Sequence, residues 1–230
     1  MLEVRTISKS FGGLMALDKI NLQVKEGQVM GIIGSNGAGK TTLFNIISGF
    51  LKPDKGMVLL DGGRLDHLSP NQVVRRGVGR TFQVTKIFKN FSVLDNLRVV
   101  CSEKQAIIDS VNYVQLDKLL DRQAGLLSLF EQKRLELTMA LVLRPRLLLM
   151  DEVSSGLSLS EKNYFKDVIA RIKRDLGPAI VLIEHDVKVA LELSDRLTVL
   201  YNGYVLASGD PISVVRDDKV VDNYLGRMAV

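Results

Sequence analysis

The stretch GSNGAGKTT, Gly34 to Thr42, constrains this chain more than any other. Before it, Gln28 to Ile33 (QVMGII) has the continuous apolar character of a short buried strand; after it, Thr42 to Ser48 (TLFNIIS) reads as a helix that stops at Gly49. A strand, a glycine-rich turn and a helix form the setting in which G-x-x-x-x-G-K-[ST] binds phosphate. Gly34, Gly37 and Gly39 let the backbone fold into a nest of inward-facing N–H groups. Ser35, Asn36, Ala38 and Thr42 complete the loop. The helix adds its unsatisfied N–H groups and positive dipole end. Lys40 is placed to reach the β- and γ-phosphates, and the Thr41 hydroxyl to hold Mg²⁺. By chance the fixed positions of the motif recur in roughly 1 chain in 100 of this length. With the flanking strand and helix, the sequence points to a nucleoside triphosphate site.

At 230 residues, the chain has room for one large domain or two small ones. Hydrophobic residues make up 46% and charged residues 25%, the balance of a globular chain with a sizeable core. The net charge of +5 comes without a long Lys/Arg cluster, so it reads as a solvated surface rather than a nucleic-acid face, and no nucleic-acid partner is expected. Cys101 is the only cysteine, which excludes an internal disulfide and a cysteine-built zinc site and fits a reducing, cytosolic setting. MLEVRTISKSF lacks a signal-peptide core, and the longest apolar runs are too short to cross a bilayer. Membrane work, if any, would go through a partner.

In chain order, residues 2–8 read as a strand and 14–24 as one or two more, followed by the phosphate loop and its helix. Met57 to Leu60 reads as a strand, Asn71 to Arg76 as a helix opened by Pro70, and Gly77 to Gln83 (GVGRTFQ) as a strand running to a polar tip. Residues 91–126 turn helical, with apolar positions three and four apart. Ser128 with Glu131 forms a capping-box pattern that opens a helix to about Leu143. Leu147 to Met150 then reads as a buried strand ending in Asp151 and Glu152. Carboxylates at the carboxyl end of such a strand sit where these sheets bind ligands. Asp151 is a second Mg²⁺ anchor opposite Thr41, and Glu152 is placed to orient or deprotonate a water. A helix spans Ser160 to Asp175, and a second buried strand, Ala179 to Ile183, ends in Glu184-His185-Asp186. After a helix over Val187 to Leu193, Asn202-Gly203 joins the strands Arg196–Leu200 and Val205–Ser208 as a hairpin, and short helices finish the chain. Phe11, taken alone, reads as a packing aromatic, with stacking on a base as the other possibility.

Together these stretches resemble, over nearly the whole chain, the ATP-binding subunits of ABC transporters. The resemblance rests on GSNGAGKTT as the Walker A loop, Gln83 in GRTFQ at the Q-loop, and LLLMDE as Walker B with Glu152 in the catalytic-glutamate position. It rests also on Ser155-Gly156-Leu157 as the D-loop and His185 as the switch histidine. It implies an α/β fold: a P-loop NTPase core, mainly a parallel sheet flanked by helices, with an N-terminal antiparallel β subdomain and a small, shortened helical subdomain. As a single domain, residues 1–83 and 127–230 would form the catalytic core and 84–126 the helical insertion. The implied site residues are Glu152, His185, Lys40 and Gln83 for catalysis and Thr41, Gln83 and Asp151 for Mg²⁺. ATP would lie on Gly34 to Thr42 with Phe11 stacked on adenine, which reverses the packing reading, and Ser128 would serve the nucleotide of a second subunit.

GRTFQ with Ile87-Phe88, EQKRLEL and the final YLG look like the branched-chain amino-acid importer group. The implied function is an ATPase energising uptake of branched-chain amino acids or a similar small solute. The implied partners are transmembrane permease subunits, a second ATP-binding subunit and an extracytoplasmic solute-binding protein, with the chain peripheral on the cytoplasmic face of the cell membrane. Two departures stand out, with Val153 a minor third. Leu127 to Gln132 (LSLFEQ) has Phe130 where the signature motif has Gly, Val153 replaces the usual Pro, and the stretch Gln83 to Leu127 is shorter than is usual for the group. A phenyl ring at Phe130 would either crowd the phosphate or point away. The first case defines the alternative, a hydrolysis-impaired nucleotide-binding regulatory subunit of a heterodimeric complex.

Overall fold

The computed structural model describes residues 1–226. The N-terminal segment pairs as an antiparallel hairpin, β1 (Leu2–Phe11) with β2 (Leu14–Val24). The chain then enters β3 (Val29–Gly34), a strand buried at every position, and α1 (Lys40–Ile47). β4 (Lys55–Leu60) returns to pair antiparallel with β1, and β5 (Gly63–Arg64) extends that sheet to the order β2-β1-β4-β5. α2 (Pro70–Arg75) begins at a Ser69–Gln72 capping box with Pro at its first position.

β6 (Val78–Arg80) is shorter than the strand expected over Gly77 to Gln83. The ladder stops because the chain finds another acceptor. Thr81 still donates to the Leu149 carbonyl at 2.9 Å, but the next N–H groups turn to a side-chain carboxylate described below. The helical region comprises α3 (Val93–Val100), capped by Ser92, and α4 (Lys104–Tyr113), followed by two short 3₁₀ turns. α5 (Leu129–Leu141) leads to β7 (Leu147–Asp151), α6 (Leu159–Arg171) to β8 (Ala179–Ile183), and α7 (Val187–Leu193) to β9 (Arg196–Tyr201) and β10 (Tyr204–Gly209). α8 (Pro211–Val215) and α9 (Asp218–Val220) follow.

The second sheet has the order β10-β9-β3-β8-β7-β6, parallel throughout except for the β9–β10 hairpin. β3, β7 and β8 are buried along their whole length, as strands covered on both faces must be, which explains their unbroken apolar sequences. One apolar cluster lies between the two sheets around α1. A larger one packs α5, α6 and the helical region on the opposite face. At the Asn202-Gly203 turn both residues have positive φ (45° and 82°), as a two-residue hairpin demands. This tip does not end in solvent. Gly203 accepts from Asp18 N–H at 2.7 Å and donates to the Ala38 carbonyl at 3.3 Å, and a Cβ there would fall 2.8 Å from the Ala16 oxygen.

Leu148, fully buried in the middle of β7, reports on the shared core. Leu148→Ala is expected to cost about 2–5 kcal/mol, read as a lower urea midpoint with unchanged slope.

Candidate active site

β3 ends at Gly34 and α1 begins at Lys40, so the loop between them is set by the sheet on one side and the helix on the other. Gly34 has φ of 154°, and a Cβ there would lie 2.1 Å from the Leu200 carbonyl oxygen, so only glycine fits. Lys40 is buried and donates to the carbonyls of Gly34 (2.7 Å) and Ser35 (3.0 Å), arching back over its own loop. Burial pushes its ammonium below the usual lysine range, opposed by the charges of Glu152 and Asp151. The mouth of the loop is an open cleft of about 200 Å³. Asn36 to Thr42 line one wall; Gln83, Glu152 and His185 line the other.

The second wall is built by strand register. Asp151 pairs with Ile183 across β7 and β8, and Ile183 pairs with Ile32 of β3, so the carboxyl ends lie level and the next residues converge. Asp151 is buried with its Oδ2 at 3.4 Å from Arg80 Nη2, while Oδ1 is buried without a hydrogen-bond partner. Burial raises the Asp151 carboxyl, with Arg80 pulling it back. An orphaned carboxylate oxygen beside a phosphate loop fits a Mg²⁺ ligand, since Mg²⁺ takes one or two carboxylates and fills its shell with phosphate and water. Among the described residues no group of three or more His, Cys, Asp or Glu is placed to hold a metal ion.

Glu152 takes a left-handed backbone, φ 52°, unusual for a residue with a side chain. Its N–H donates to the Ile183 carbonyl at 2.9 Å. Its carboxylate is held from two sides, by Gln83 Nε2 to Oε2 at 2.8 Å and by His185 Nε2 at 2.6 Å from Oε1. Residues separated by the whole helical region are thus brought onto one carboxylate.

Several supports are absent from the sequence reading. The Arg80 guanidinium lies among the rings of Phe44, Phe50 and Phe82, 4.7 Å from the nearest centroid, and donates to Asn45 (2.8 Å) and Ser48 (2.6 Å). Glu184 is buried and accepts from Ser154 N–H (3.1 Å) and Oγ (2.6 Å), fixing the approach to the 155–157 turn. Lys133 Nζ donates to the Glu152 carbonyl at 2.9 Å and the Val153 carbonyl at 3.2 Å. Glu136 accepts from Phe82 N–H at 3.2 Å and Lys86 N–H at 2.6 Å, and burial pushes its carboxyl up to about 7. The available signal was the spacing in EQKRLELTMA. A helix whose neighbours are Leu and Ala places charges at 133 and 136 on a covered face, where an unpaired charge is costly.

The segment around Phe130 settles in an informative way. Ser128 caps α5 and exchanges hydrogen bonds with Glu131 in the expected capping box, leaving the helix N-terminus exposed. The Phe130 ring packs edge-to-face on Tyr164 (5.1 Å) and Phe165 (5.8 Å), with the Arg134 guanidinium 5.2 Å above it. It points into the α5–α6 contact rather than out from the capped end. Gly156, in the 155–157 turn, faces Leu129 at the start of the same helix. Phe11 corrects the packing reading. Phe11 is 46% exposed at the end of β1, beside Leu14 at 73%, because the β1–β2 tip projects beyond the sheet it belongs to. Phe130→Gly is expected to destabilise by about 2–4 kcal/mol, through the lost aromatic contacts and a glycine in the first helical turn. A fall in the urea midpoint without a rise in ATP turnover would register it.

The sequence pattern of the ABC transporter family matches residues 17–155. The high-affinity branched-chain amino acid transport ATP-binding protein BraF of Pseudomonas aeruginosa is 35% identical, the alignment covering 98% of each chain. LivG of Escherichia coli, a protein of the same description, is 33% identical over 98% of each. A solved structure of the ADP conformation of an ABC-transporter ATP-binding cassette superposes with a TM-score of 0.90 at 31% identity, covering 98% of both chains. A nucleotide-free cassette gives 0.88 at 31% identity, covering 98% of this chain and 99% of the other. Motifs, site geometry and full-length likeness agree: the chain belongs to the ABC transporter family and is one of its ATP-hydrolysing subunits.

Proposed function

We propose that this chain energises the uptake of branched-chain amino acids, or a similar small solute, by binding and hydrolysing Mg·ATP beneath a membrane permease. The solute class is carried by the curated relatives, whose descriptions name branched-chain amino acid transport. The hydrolytic role is carried by the Glu152 carboxylate, held between Gln83 and His185 at the mouth of the phosphate loop.

The chemistry follows from the groups present. Lys40 exchanges the Gly34 and Ser35 carbonyls for phosphate oxygens as ATP enters, and the loop amides from Asn36 to Thr42 take the remaining anionic edge. Thr41, Gln83 and Asp151 are the residues that would hold Mg²⁺, which when bound neutralises charge on the β- and γ-phosphates. Glu152 orients the attacking water, and His185 fixes the carboxylate and reaches the γ-phosphate. Phe11 offers an exposed ring for the adenine. Catalysis of this kind is chiefly positioning and charge stabilisation.

The exposed N-terminus of α5, capped by Ser128, lies on a different element from the phosphate loop. It is the natural cover for a nucleotide bound by a second ATP-binding subunit, identical or related. A groove of about 260 Å³ lined by Phe50, Val74, Phe82, Met139 and Leu143 is the proposed seat of the permease, since it adjoins the loop that carries Gln83. Among the described residues no helix is long and apolar enough to cross a membrane. As the ATP-binding partner of the permease, the chain would sit peripherally on the cytoplasmic face. An extracytoplasmic solute-binding protein would deliver the solute to the permease.

Lys40→Ala is expected to abolish tight ATP binding, so retained micromolar affinity in a titration would overturn the phosphate-loop assignment. Glu152→Gln is expected to keep ATP binding while lowering turnover at least about a hundredfold, the loss of a residue acting only in the transition state. Turnover of that variant at the parent rate would remove Glu152 from the water-positioning role.

A further inference from the structure

The sheet side of α5 carries two buried charges that the hydrolytic scheme above leaves unused. Lys133 is 6% exposed and Glu136 5% exposed, one helical turn apart. No ion pair within 4 Å joins them. Each instead directs its polar atoms at backbone belonging to the catalytic wall. Lys133 donates to the carbonyls of Glu152 (2.9 Å) and Val153 (3.2 Å). Glu136 accepts from Phe82 and Lys86, on either side of Gln83.

Stability alone gives a poor account of these residues. Replacing buried charges by apolar residues of similar volume is often neutral or stabilising, and a Leu or Met at either position would suit the surrounding cluster. The segments they grip explain them better. One is Glu152, whose left-handed backbone, φ 52°, is strained for a residue with a side chain and persists only where the surroundings hold it. Its N–H is fixed by the Ile183 carbonyl and its C=O by Lys133. The other is the irregular stretch after β6, which has left the sheet ladder and would otherwise have unpaired amides at Phe82 and Lys86. Gln83 lies inside the span closed by Glu136, and its Nε2 meets the Glu152 carboxylate at 2.8 Å.

We infer that Lys133 and Glu136 are positioning residues for hydrolysis in their own chain, Lys133 holding the backbone of Glu152 and Glu136 holding the loop of Gln83. The inference rests on the reading of Glu152 and Gln83 as the hydrolytic pair. It gives α5 two tasks. Its capped end faces outward, toward the nucleotide of another subunit, while its covered face sets the hydrolytic pair of its own. A shift of α5 against the six-stranded sheet is therefore felt at both arms of that pair together.

The test combines two measurements on the full chain, steady-state Mg·ATP hydrolysis with ATP affinity, and amide hydrogen exchange without nucleotide. The variants are Lys133→Met and Glu136→Gln, which preserve volume, with Glu136→Asp, which keeps the charge but shortens the reach. Each is expected to fold and to bind ATP within about twofold of the parent while kcat falls about tenfold or more, the pattern of an interaction lost from the transition state alone. Exchange is expected to quicken locally, over residues 82–86 in the Glu136 variants and over 152–154 in Lys133→Met. Unchanged exchange in those segments, or kcat at the parent value, would overturn the inference, as would ATP affinity falling in proportion to kcat. Glu152→Gln separates the two levels. If it hydrolyses at the parent rate, the hydrolytic reading of Glu152 fails, while the exchange result still decides whether α5 holds these segments.

Discussion

The parallel register of β3, β8 and β7 is the constraint on which the site depends. Because Ile32, Ile183 and Asp151 lie level across three neighbouring strands, the residues that follow each strand emerge at one edge. The phosphate loop, the acidic pair and the His185 turn meet there without any long-range loop having to be ordered separately. Loops at the carboxyl ends of parallel strands are the general location of ligand sites in such sheets. Here each loop is also tied to its neighbour by main-chain bonds, Glu152 to Ile183 and Glu184 to Ile32.

Around that edge the protein accepts buried charge on an unusual scale. Lys40, Lys133, Glu136, Asp151, Glu152 and Glu184 are all nearly excluded from solvent. Burial opposes the charged form wherever a shift is resolved, lowering Lys40 and Lys133 and raising Glu136, Asp151 and Glu184. A fold selected for stability alone would use fewer such groups. Their placement makes sense as preorganisation: dipoles and charges are oriented before substrate arrives, and little reorganisation is left for the reaction itself.

Much of this was legible in the sequence, for identifiable reasons. Strands buried on both faces leave unbroken apolar runs, so β3, β7 and β8 stood out, and the Asn202-Gly203 pair marked its hairpin. Lys40, Asp151, Glu152 and His185 were recognisable because motifs fix them to strand ends. The supports Lys133, Glu136, Arg80 and Glu184 were not, because their partners lie far away in sequence: Lys133 and Glu136 hold backbone groups, Glu184 the Ser154 amide and hydroxyl, and Arg80 the side chains of Asn45, Ser48 and Asp151. For the same reason β6 is shorter than the run Gly77 to Gln83: a carboxylate on a distant helix competes for the amides that follow it. The side on which the Phe130 ring packs depended on Tyr164 and Phe165, which local pattern could not place.

The β9–β10 tip has a practical consequence. An exposed two-residue hairpin is ordinarily a safe place to insert a tag or attach a fluorophore. Here Gly203 touches Asp18 of the antiparallel sheet and Ala38 of the phosphate loop at once, with no room for a side chain. Anything added at Asn202-Gly203 would act as a wedge between the two sheets and tilt the nucleotide loop. A probe placed there would report on, and disturb, the very alignment of the two sheets around the nucleotide.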